Sequence, residues 1–241
     1  VQILPKNNEV TMLGERDFKF NGTLVSGNFE FVGSNFTFNY DSFRIDLPEI
    51  DSICFYLATE GGKRKKVDNS LQTVNQEDSS AVNAMGNFKQ TSGRLYINDP
   101  GNKSARKFDA SYPKFDAETG AIVYFDSKKV LDGAYDKSVY YVIPPFKLDS
   151  LNGADPAAIV FPGTLYSDIL PPIQEALRVL PDNSMGFDHI TPSEGYTLYG
   201  GTAKFTNGLS LNAEGLRGAG NIDFLTSTLE AEDFVFYMDS V

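Results

Sequence analysis

Tryptophan is absent from this 241-residue chain, and cysteine and histidine occur once each. A single cysteine excludes a disulfide framework, and one cysteine with one histidine cannot assemble a Cys/His zinc site. Positive charge is scarce as well: 21 Lys and Arg stand against 32 Asp and Glu, leaving a net charge of -11. That balance disfavours nucleic acid and anionic membrane surfaces as partners, since both attract basic protein. Long apolar runs are missing too. No stretch approaches the ~18 to 20 apolar residues of a membrane-crossing helix, so no membrane span is expected. The chain starts at Val1 with neither an initiator Met nor a basic-then-apolar leader, which predicts that any targeting segment has been removed. Near absence of cysteine fits a periplasm or a cell surface as readily as a cytosol.

What is present reads as a folded domain. Hydrophobic residues make up 41% and charged residues 22%, enough to enclose a sizeable core in a chain of this length. The dominant periodicity is two. Phe18, Phe20, Leu24, Phe29, Phe31, Phe36, Phe38 and Tyr40 alternate within short runs, broken at Asn21-Gly22, Ser26-Gly27-Asn28 and Gly33-Ser34-Asn35. Alternation bounded by Gly and Asn is the pattern of antiparallel meanders, with Asn-Gly supplying tight hairpin turns. The run holding the lone Cys54, Ile53 to Leu57, reads as a buried strand. Further strand candidates are 93–97, 121–125, 138–143, 157–161, 195–199, 208–211, 220–225 and 234–238. The expected class is all-β, antiparallel meanders forming an extended sheet or β-sandwich, with at most one short helix. That helix is Pro171 to Leu180, where Ile173, Ala176, Leu177 and Leu180 share a helical face; the same residues also admit an extended strand.

Organisation is read as one continuous β-rich region over 1–241, an internal fragment of a longer chain. Loose units fall at 1–66, 84–155 and 156–241, with 61–83 a candidate linker. Its basic run, Lys63-Arg64-Lys65-Lys66, reads as a solvated hairpin tip. Three segments share an apolar-Asp-Ser-apolar ending: Ile50 to Ile53, Leu148 to Leu151 and Met238 to Val241. Their spacing of about 90 residues suggests tandem β units.

Few residues offer catalytic chemistry. His189, in Gly186 to Ile190, is the sole imidazole for a nucleophilic triad, and with no Gly-x-Ser-x-Gly elbow it is expected to be a loop residue. Carboxylate pairs such as Glu232 with Asp233, or Asp46 near Glu49, fit a glycosidase only by adjacency. The Asp- and Asn-rich stretches 98–102 and 149–155 offer calcium ligands but read first as turns. The cluster Gly215 to Gly220 lacks the spacing of a phosphate loop. No catalytic, cofactor-binding or metal-ligating residue is assigned, and no cofactor is expected.

Several strings, Gly93 to Ser104, Pro145 to Ser150, Leu177 to Phe187 and Gly215 to Thr228, resemble a family of long, repetitive, β-rich uncharacterised exported proteins of Bacteroidota. The resemblance covers most of the chain from about Gly93 onward and, more loosely, the first sixty residues. It implies export to the periplasm or cell surface. The Asp-Ser-apolar triplets then resemble an O-glycosylation acceptor of exported Bacteroidota proteins, with Ser52, Ser150 and Ser240 as candidates. The expected function is a non-enzymatic structural or ligand-binding segment of a long cell-envelope protein. Its candidate partners are a glycan, a lipid and flanking repeats of the same chain. Aromatics such as Phe36, Phe38 and Tyr40 are candidate contacts, although core packing accounts for most of them. Two alternatives stand beside it: a carbohydrate-active enzyme using a carboxylate pair, and a lipid or polysaccharide carrier with an apolar trough. The C-terminal strand is expected at a sheet edge.

Overall fold

The computed structural model describes residues 1–58, 64–67, 71–72 and 90–241. It is all-β: 54% of residues are in strands, which build two large antiparallel sheets, and among the described residues no helix reaches seven residues. In chain order the strands are β1 (Gln2–Pro5), β2 (Thr11–Met12), β3 (Phe18–Ser26), β4 (Phe29–Asn39), β5 (Arg44–Ala58), β6 (Arg64–Lys66), β7 (Leu71–Gln72), β8 (Thr91–Tyr96), β9 (Lys114–Ala117) and β10 (Ala121–Tyr124). They continue with β11 (Tyr140–Ile143), β12 (Phe146–Leu148), β13 (Val160–Tyr166), β14 (Ile173–Val179), β15 (Met185–Ile190), β16 (Tyr196–Thr197), β17 (Lys204–Asn212), β18 (Gly215–Phe224) and β19 (Ser227–Phe236).

Contacts group the chain into two compact units, each made of two separate segments: Val1–Ile122 with Ile143–Ala158, and Val123–Val142 with Ile159–Val241. In the first unit β3 is flanked by β1 and β2 on one side and β4 on the other. The long β5 lies against β4 and changes partner midway, pairing β8 through its first half, then β7 and β6. Of the candidate linker, Arg64–Lys66 and Leu71–Gln72 are strand and Val67 is buried; the rest of 61–83 lies outside the described residues. In the second unit the order is β11, β13, β14, β15, β17, β18, β19, with β16 also on β17.

Period-two patterning explains the cores. In the first unit Phe20, Leu24, Phe29, Phe31 and Phe36 are buried, as are Ile53 and Cys54. Rings pair across strands, Phe31 with Phe115 at 4.6 Å between centroids and Phe29 edge-on to Phe55 at 5.5 Å, geometries that add to plain area burial. In the second unit Phe205 packs edge-on against Phe236 at 5.3 Å, and Leu177 and Phe187 are buried as well.

Three expectations are corrected. Asn21-Gly22 and Gly33-Ser34-Asn35 are not turns; they lie inside β3 and β4, beside register shifts. A glycine in an alternating run serves a bulge or a close backbone approach as readily as a turn. Here a Cβ on Gly22 would stand 2.4 Å from the Leu4 carbonyl oxygen. Only Ser26-Gly27-Asn28 turns the chain. The segment 171–180 is not helical: its core is β14, paired to β13 and β15. Spacing of i, i+4 satisfies both periods, and pairing on both sides, with β-branched Ile173 and Val179 at its ends, decides for the strand.

One buried tyrosine ties the second unit together. Tyr135 Oη donates to the Phe236 carbonyl at 2.7 Å and accepts from the Leu216 amide at 2.8 Å; burial pushes its phenol up to about 12. Tyr135→Phe should cost roughly 1 to 3 kcal/mol in a denaturant titration, because it strands two buried backbone groups. An unchanged midpoint would show that neither group depends on the hydroxyl.

Candidate functional site

Two side-chain clusters carry chemistry. The first contains the only histidine. His189 lies on β15, opposite Leu209 of β17, and not in the loop expected of it. Its side chain is only 14% exposed. Nδ1 stands 3.0 Å from Glu175 Oε2 of β14, and Nε2 stands 2.9 Å from the Tyr196 hydroxyl of β16. With the imidazole neutral, Nδ1–H donates to the carboxylate and the Tyr196 O–H donates to Nε2. Burial by itself would push the Glu175 carboxyl up. The His189 hydrogen bond, the Ala176 amide and the charges of His189 and Arg178 outweigh it and hold that carboxyl below its ordinary value.

This Tyr-His-Glu chain has the connectivity of a triad. A nucleophile is activated either by an adjacent base or by a depressed pKa, and Tyr196 does not have the second. Burial, then the charges of Glu194 and Glu175, pushes Tyr196 the other way. The network's two hydrogen bonds clamp β14, β15 and β16 together. Glu175 was legible only in hindsight: in the strand register it shares its face with Ile173, Leu177 and Val179, where a carboxylate needs a partner.

The second cluster lies in the first unit, in the loop between β8 and β9. Asn102 holds this loop in shape. Its Oδ1 accepts from the Lys107 amide at 3.1 Å, and its Nδ2 donates to the Lys107 carbonyl at 2.7 Å. Asp99 Oδ1 accepts from the Gly101 amide at 2.7 Å, so the stretch 98–102 is turn chemistry. Hydrogen bonds from the Ser111 hydroxyl and amide hold the Asp109 carboxyl below its usual value. Beside this loop is a groove of about 330 Å³ whose walls include Phe43, Ile97, Phe108 and Tyr112. Asn98, Lys107, Asp109 and Asn152 line it as well. Phe108 is 94% exposed, which burial in a core cannot explain.

The expected aromatic track divides. Phe36 and Phe38 are core, and only Tyr40 reaches solvent, between Arg16 at 4.7 Å and Lys103 at 4.4 Å from its ring centre. The acids also separate. Asp46 Oδ1 meets Arg44 at 2.9 Å, whereas Glu49 accepts from Asn35 Nδ2 at 2.7 Å. Burial, then the Glu49 charge, pushes Asp51 up. Asp233 is bound by Arg217 at 2.5 Å, and Glu232 is exposed.

The Asp-Ser triplets occupy three different settings. Ser52 is in the middle of β5, paired on both sides. Ser150, at φ 57°, opens the turn after β12. Ser240 is exposed beyond β19, its carbonyl accepting from the Tyr199 hydroxyl. In the stretch 149–155 the Asp155 carboxylate accepts from the Ala157 amide at 3.0 Å. No protein-family model matches the chain, and neither does any curated protein or solved structure.

Proposed function

We propose that this chain is a non-enzymatic, glycan-binding segment of an exported cell-envelope protein. The observation that carries the reading is the exposed Phe108 beside a groove that also presents Tyr112, amides and lysines. A pyranose ring offers an apolar C–H face and a rim of hydroxyls. Aromatic rings suit the face, while amide, carboxylate and ammonium groups suit the rim. The Asn102 clamp fixes the loop before any ligand arrives, which lowers the ordering cost of binding. Export rests on the Bacteroidota-like strings, one of which, Gly93 to Ser104, enters this loop.

Isothermal titration with neutral hexasaccharides and with oligogalacturonate, each followed by product analysis, tests the proposal. Binding to at least one is expected, and Phe108→Ala should weaken it roughly tenfold, about 1.4 kcal/mol. Phe108 is exposed, so the variant's fold should be intact by circular dichroism. No binding to any of these sugars, or equal binding by Phe108→Ala, overturns the groove. Cleavage of the sugar would instead make the chain a carbohydrate-active enzyme.

A further inference from the structure

Two short strand edges carry unpaired charge of opposite sign. Among the described residues β19 pairs with β18 alone, so the far side of its exposed stretch Ser227 to Asp233 offers free backbone groups. Glu230 and Glu232 on this stretch are exposed, and among the described residues no cation pairs with either; Asp233 is taken by Arg217. β6 pairs with β5 alone among the described residues, and all three of its side chains are exposed. Arg64 is engaged, its Nη2 donating to the Gly27 carbonyl at 2.8 Å and its guanidinium 4.8 Å from the Tyr56 ring centre. Lys65 and Lys66 have no acidic partner among the described residues.

Symmetric pairing of β19 with β19 would bring the glutamates of both copies together, and β6 with β6 the lysines; both are repulsive. A net charge of -11 also opposes indiscriminate association, so any attraction between copies must be local. We propose that β6 of one copy adds as a strand to the β19 edge of a second copy, with Lys66 on the face of Glu230 and Glu232, opposite one and diagonal to the other, and Lys65 on the other face adding to the local positive charge. Such a contact is heterologous: each assembled pair still exposes one β6 and one β19, so association continues beyond the dimer unless a ring closes. A three-residue strand makes few backbone bonds, so the contact is weak and dependent on its charges.

The test is light scattering on the full chain across protein concentration. In low salt the mean mass should rise with concentration. It should return to the monomer value of 26.5 kDa near 1 M salt, where charges are screened beyond about 3 Å. Glu230→Lys with Glu232→Lys should remain monomeric, and so should Lys65→Glu with Lys66→Glu. An equimolar mixture of the two variants should associate again, because each then offers the edge the other needs. All four side chains are exposed, and unchanged circular dichroism and melting confirm that both variants fold. A wild-type monomer at every concentration overturns the proposal. So does association that ignores salt, survives either reversal, or fails to return in the mixture.

Discussion

Gly27→Ala should destabilise the first unit by about 3 kcal/mol or more, a loss of roughly 10 °C in melting temperature. Two independent terms act at this residue. Its φ of 56° is left-handed, a conformation that costs a residue with a Cβ about 1 to 2 kcal/mol. The added Cβ would also lie 1.9 Å from the Leu151 carbonyl oxygen and 2.7 Å from its carbon, both backbone atoms without a rotamer to escape into. Gly27→Asn separates the terms, since asparagine tolerates the left-handed region but keeps the clash. Both variants should therefore melt well below the wild type, with alanine the worse. If the alanine variant melts within the error of the wild type, the turn yields freely and the contact with Leu151 carries no weight.

His189→Ala should cost about 2 to 3 kcal/mol, because it removes one hydrogen bond to a charged carboxylate and one to a phenol. The loss should depend on pH in a defined direction. Glu175 is held below its ordinary value of 4.5 when folded. A depressed carboxylate contributes stability that is present above 4.5 and disappears as the pH falls through its folded value. The difference between wild type and variant, measured by urea titration, should be full near neutrality and shrink as the solution is acidified below 4.5. Tyr196→Phe should retain that pH dependence, since Glu175 keeps its imidazole partner, and should lose only about 1 kcal/mol. Equal stability of His189→Ala and wild type at neutral pH would return His189 to the loop-like role its sequence suggested.

Alternation of apolar and polar residues by itself determined that this chain is β, because period two is a property of each strand and needs no partner to be legible. Cys54 as a buried strand residue and the turn at Ser26-Gly27-Asn28 belong to the same local layer. Ser227 to Asp233 escaped notice as strand because an exposed edge buries little, and Leu229-Glu230-Ala231-Glu232 is too short and too charged an alternation to stand out. Everything that depends on which strand lies beside which was decided by the tertiary structure. Gly22 and Gly33 became bulge positions because β1 and β5 approach there. The i, i+4 spacing in 171–180 fits helix and strand alike, and β13 and β15 resolved it. Glu175 found His189 across strands, Tyr135 found Leu216 and Phe236, and Gly27 found Leu151, partners 14, 81, 101 and 124 residues apart. Sequence carries the preference of each residue for a backbone shape. The identity of a distant neighbour emerges only when long-range pairing places the two backbones within a few ångströms.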